Sequence, residues 1–166
     1  MVEEPGKERR QPLILDCNLW IELITKKECH LREKILTGNY SIIITSYMAV
    51  ETLRVLKRLS SKMNISLSKL ETHFWEFLFH DNITMNFKQV FTESLINEIK
   101  DLPEIKIIAS LLDLERKDVP YIVAAFQYNA IFLTEDVRSL LEKRNLIKQK
   151  LNIEILSMDE FLKRVK

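Results

Sequence analysis

Residues 118–136 read DVPYIVAAFQYNAIFLTED. Asp118 opens an apolar, alanine-rich run from Val119 to Phe126 with Pro120 in its first turn, and Ile131-Phe132-Leu133 follows at strand length. A helix that feeds a short apolar strand is the closing half of a βαβ crossover. Three more runs have the same length and the same preference for β-branched residues: Leu13-Ile14-Leu15, Ile42-Ile43-Ile44 and Ile153-Glu154-Ile155-Leu156. Helical period fills the intervals, with Met48, Leu53, Val55, Leu56 and Leu59 marking 46–61, and Leu67, Leu70, Phe74, Phe77 and Leu78 marking 66–80. Further helices are expected over 88–100, 103–113, 118–128, 136–148 and 158–165. The weak run from Ile83 to Phe87 reads as a fifth strand or as a connector. Strands alternating with helices predict an α/β fold: a helix-rich, three-layer α/β/α sandwich around a parallel sheet.

Composition agrees with one globular domain. The chain has 166 residues, 46% hydrophobic and 30% charged, with 25 basic against 24 acidic side chains. A domain of this size buries roughly 68–70% of the surface of its unfolded chain, enough for a core without disulfides. The 2 glycines and 4 prolines leave little room for barrels or low-complexity arms. A single domain is expected over 12–166, with 61–113 as a helical elaboration and 1–11, charged and without an apolar leader, as a loose tail. The uncharged stretch from Ile35 to Val50 is broken by Gly38, Asn39 and Ser41 and is too short to span a bilayer. A cytoplasmic protein with reduced Cys17 and Cys29 is expected. Net charge of +1 excludes bulk electrostatic coating of nucleic acid, so any such contact is local.

In an open parallel sheet, ligands gather outside the carboxyl ends of the strands. The sequence puts acids there. Asp16 follows Leu13-Ile14-Leu15 directly, and Asn18 lies two residues on. Asp136 follows the third strand through Thr134-Glu135. Glu51 lies five residues past Ser46 in the helix after the second strand, with a side chain tilted back toward the sheet edge. Asp118 opens the helix that feeds the third strand. Each acid also has a structural reading: Asp118 and Asp136 as helix N-caps, Glu51 as a solvated residue pairing one turn on. Asp16 is harder to explain that way, because a carboxylate abutting a doubly covered strand is costly to desolvate without a partner.

Convergent carboxylates repel, and the motifs contain no Lys or Arg, so a hard divalent cation is the simplest neutralising charge. Oxygen ligands select Mg²⁺ or Mn²⁺, one or two ions, rather than Zn²⁺. Such sites take substrate phosphate, which points to hydrolysis of a phosphodiester. Asn18, Thr134, Ser46, Arg54 and Arg138 then read as substrate-contacting or supporting groups.

Three quoted elements together resemble a PIN-domain nuclease: Leu13-Ile14-Leu15-Asp16-Cys17-Asn18, Thr45-Ser46 with Glu51, and Asp118 through Thr134-Glu135-Asp136. The resemblance frames residues 12 to about 145. It implies a metal-dependent endoribonuclease acting on RNA, often the toxin of a toxin–antitoxin pair of the VapC type, commonly a homodimer. By the same resemblance Asp16, Glu51, Asp118 and Asp136 are the metal-binding acids. Many members carry another acid two residues after the Thr-x-Asp carboxylate; here that place is Arg138, which either weakens a second metal site or supplies a phosphate contact. The long 61–113 segment also departs from compact members.

Two other classes stay in view. A non-catalytic PIN-like module would bind RNA or a protein and keep its acids as relics. A receiver-like signalling domain needs a Lys after the last strand, and Glu154-Ile155-Leu156-Ser157-Met158 lacks one. His30, His73 and His80 fit no metal spacing. Phe74, Trp75, Phe77 and Phe79 read as core, Arg54, Lys57 and Arg58 as a solvated face or a backbone track, and Cys17 as an inert thiol on the opposite strand face.

Overall fold

The computed structural model describes residues 10–26 and 29–165. Five strands form one all-parallel sheet: β1 (Gln11–Leu15), β2 (Tyr40–Thr45), β3 (Ile83–Asn86), β4 (Ile131–Leu133) and β5 (Ile155–Leu156), in the order β3-β2-β1-β4-β5. Leu13, Ile14 and Leu15 are all fully buried, as are Ile42 and Ile44. Successive strand residues face opposite sides, so unbroken burial means that helices cover both faces. The fold is the expected three-layer α/β/α sandwich, and the run around Ile83 is a strand at the sheet edge.

The helices are α1 (Cys17–Thr25), α2 (His30–Thr37), α3 (Ser46–Met63), α4 (Leu67–Leu78), α5 (Leu95–Lys100), α6 (Pro103–Leu112), α7 (Val119–Tyr128), α8 (Arg144–Leu151) and α9 (Met158–Arg164). No helix among the described residues is long and apolar enough to cross a membrane. α1, α3 and α4 pack on one another, and Trp20 of α1 meets Phe77 of α4 edge to face at 6.0 Å. Four helices end on a left-handed residue that is not glycine: Asn64, Asp113, Asn129 and Asn152, with φ of 52°, 52°, 49° and 55°. Asparagine and aspartate tolerate that region best among residues with a Cβ, which lets a chain with few glycines close its helices.

Several expectations are corrected. Gln11 belongs to β1, and Arg10 donates to the Asp81 carbonyl at 2.6 Å; residues 1–9 of the expected tail lie outside the described residues. The 61–113 segment is not only a helical elaboration, since it supplies β3. The helix expected over 88–100 is confined to Leu95–Lys100, because the Gln89 N–H is drawn out to Ser46 Oγ at 3.1 Å and Phe87 and Phe91 pack edge to face. Over 136–148 the chain makes a π-helical turn, Val137–Leu141, before α8 begins. Cys17 is the first residue of α1 rather than part of a strand. Phe74 and Phe77 are core, but Trp75 is partly exposed and Phe79 largely so.

Candidate active site

The connections leave β1 toward β2 and β3, then return past β1 to β4 and β5. The direction of winding therefore reverses between β1 and β4, where a doubly wound sheet opens a crevice at its carboxyl edge. Asp16 caps β1 there, and its N–H continues the ladder to the Leu133 carbonyl at 3.0 Å. Its side chain is fixed from two sides: Oδ1 accepts from the Cys17 N–H at 2.7 Å and Oδ2 accepts from Thr134 Oγ1 at 2.8 Å. Thr134, fully buried at the end of β4, accepts in turn from the Asp136 N–H at 3.0 Å. One hydroxyl thus ties the acids of two strands together. Asp136 caps the π-helical turn, accepting from the Ser139 N–H at 2.9 Å and hydroxyl at 2.8 Å.

Asp118 behaves differently. It stands at the N-cap position of α7, yet its side chain makes no capping hydrogen bond. It is 6% exposed, and its Oδ2 is buried with no partner. Trp20 Nε1 and Thr52 Oγ1 are also unpartnered, but both are neutral. The structural reading therefore holds for Asp136 and fails for Asp118. Glu51, in the second turn of α3, accepts a hydrogen bond from the Tyr121 phenol.

The electrostatics follow from burial and crowding. Burial pushes the Asp118 carboxyl up to about 7, with Lys117 opposing and Asp16 and Asp136 adding to the rise. Burial also raises Asp16 and Glu51, against the hydrogen bonds from Thr134 and Tyr121 respectively, and each acid feels a second one: Asp136 for Asp16, Asp16 for Glu51. For Asp136 the desolvation is outweighed by the two Ser139 bonds and Lys117, and its carboxyl titrates below the ordinary range. Asp16 is within electrostatic reach of Glu51, Asp118 and Asp136, and Asp118 also feels Asp136. Among the described residues no three His, Cys, Asp or Glu side chains close into a ready-made metal cage. Like charges held around one space keep apart, and Mg²⁺ takes only one or two carboxylates along with its waters.

The other predicted residues divide. Thr134 supports two acids directly. Ser46 is fully buried and serves the 87–94 segment through Gln89, so it is no substrate contact. Asn18 is exposed on α1 and hydrogen-bonds none of the acids. Arg54 is exposed and its charge lowers Glu51; Arg138 is exposed beside Asp136, whose carboxylate its backbone N–H helps to stabilise. Cys17 is buried, with its thiol pushed up to about 12 by desolvation, as an inert thiol requires. Sequence reasoning missed Lys117, Tyr47 and Tyr121. Lys117, just outside the quoted motifs, acts on all four acids, while its Nζ pairs with Glu115 Oε2 at 3.0 Å. Its place directly before Asp118 was the available signal.

These elements define a class: a doubly wound parallel α/β/α domain with electrostatically coupled carboxylates near its switch point. No family model matches the chain, and no curated protein matches it.

Proposed function

We propose that the protein is a Mg²⁺- or Mn²⁺-dependent phosphodiesterase acting on RNA, in the manner of a PIN-domain endoribonuclease. The observation that carries this reading is Asp118 Oδ2, a buried carboxylate oxygen with no partner that faces two other acids. Stability alone gives no reason to keep it, since an unpartnered buried carboxylate is destabilising. An all-oxygen donor set fits a hard octahedral cation.

Asp16 and Asp118 would hold the ion, with Glu51 and Asp136 completing the negative pocket. The cation, when bound, polarises the phosphate and lowers the pKa of water. Thr134 keeps the Asp16 carboxylate from rotating away and Ser139 does the same for Asp136, so little reorganisation is left for the moment of reaction. Lys117 and Arg54, whose charges act on these acids, would contact non-bridging phosphate oxygens. Toxin activity, an antitoxin and a homodimer belong to the resemblance and form its further expectations.

Labelled RNA and DNA incubated with Mn²⁺, with Mg²⁺ and with chelator test the reading. Metal-dependent RNA cleavage, abolished in Asp16→Asn with the fold intact, is the expected result; cleavage unchanged in Asp16→Asn or by chelator refutes it. The presence of Lys117 as an internal counter-charge favours a second reading, a non-catalytic binding module. Calorimetry decides between the two: the module predicts no Mn²⁺ binding, whereas the enzyme predicts binding that Asp136→Asn weakens.

A further inference from the structure

We propose that Tyr121 and Tyr47 are positioning residues that lock Glu51 and Asp118 to one another, so that two acids from different helices meet the pocket as a unit. This rests on the pocket being a cation site. Each acid has a tyrosine one turn away on its own helix: Tyr47 lies four residues before Glu51 on α3, and Tyr121 three residues after Asp118 on α7. The hydroxyls then cross over. Tyr121 donates to Glu51 Oε2 on the other helix, and Tyr47 donates to the carbonyl of Lys117, the residue before Asp118, at 3.1 Å. The α7 tyrosine holds the α3 acid, and the α3 tyrosine holds the turn that presents the α7 acid.

The rings are clamped as well. They meet edge to face at 6.0 Å and 86°, and Tyr121 stacks on Phe132 of β4 at 5.7 Å and 14°. Tyr121 and Tyr47 are 1% and 2% exposed. Phenylalanine would fill the same space and pack the same faces, so packing does not explain two buried phenols whose hydroxyls both reach the acid-bearing elements. Holding Oε2 leaves Oε1 as the free oxygen of Glu51. Outer-shell partners of this kind typically set 10–100-fold in metal affinity or activity.

The test uses the full chain and Mn²⁺ alone as the probe. Calorimetry on Tyr121→Phe is expected to show Mn²⁺ affinity reduced about 10–100-fold, and steady-state kinetics on RNA a fall in kcat with little change in KM. Tyr47→Phe should shift both in the same direction. Wild-type Mn²⁺ affinity in Tyr121→Phe, where Asp118→Asn removes binding, overturns the proposal and leaves the metal site standing. A readout without metal separates the two ideas: if Tyr121 and Glu51 act as a pair, the urea midpoint shifts of Tyr121→Phe and Glu51→Gln will not add in the double variant. Additive shifts refute the brace by themselves. Non-additive shifts with no Mn²⁺ binding by the wild type refute the functional reading instead, and with it the role assigned to the brace.

Discussion

Asp118→Asn should make the metal-free protein more stable while destroying the proposed site. The carboxyl sits near 7 when folded against an ordinary value of 3.8, a difference of 7 − 3.8, or about 3. At 1.36 kcal/mol per unit this is about 4 kcal/mol, and relaxation of the pocket reduces it to about 2–4 kcal/mol. The sign follows from proton linkage. The folded state holds its proton more tightly than the unfolded state, so folding is favoured below about 4 and loses stability as pH rises toward 7. Asp16 and Glu51, also raised, act in the same direction, and Asp136, lowered, acts against them. Asparagine keeps the shape and never ionises. Urea unfolding in chelator should therefore show the variant gaining about 2–4 kcal/mol over wild type at pH 8 and close to nothing near pH 4. A variant no more stable than wild type at pH 8, or one whose advantage does not grow with pH, refutes the account of the buried carboxylate.

Three further substitutions probe the scaffold. Thr134→Val is nearly isosteric and strips one hydroxyl from two partly buried partners, Asp16 Oδ2 and the Asp136 N–H, so chemical denaturation should show a loss of about 1–3 kcal/mol. Asp136→Ala removes the cap of the π-helical turn and should cost about 1 kcal/mol at neutral pH; because its carboxyl is held low, the loss relative to wild type should shrink in strong acid, which an acid unfolding series checks. Gly38→Ala places a Cβ 2.6 Å from both the Lys34 carbonyl and the Tyr40 ring, and a drop of about 1–3 kcal/mol in urea is expected, with RNA cleavage unchanged.

The sheet was legible because its central strands are buried on both faces, which leaves unbroken apolar runs in the sequence, and because Asp16 stands directly after one run and Asp136 within three residues of another. Other elements were hidden for identifiable reasons. α1 begins at the residue after Asp16, with no loop, so the strand run merges with Leu19, Trp20, Leu23 and Ile24. α2 is mostly polar and is anchored by Leu31 and Ile35 alone. The 87–94 segment has helical composition but is overruled by its tie to Ser46, a contact 43 residues away. Tyr121 was lost inside the apolar run that made α7 recognisable, since its partner Glu51 is 70 residues distant.

The left-handed asparagines that end α7 and α8 have a practical consequence. Asn129 and Asn152 precede β4 and β5, at the amino edge of the sheet, opposite the acids. Glycine would adopt the same φ free of Cβ strain, at the expense of a looser unfolded chain. An engineer can therefore adjust thermal tolerance on one rim of the molecule and the acid cluster on the other, with little reason for the two searches to interfere.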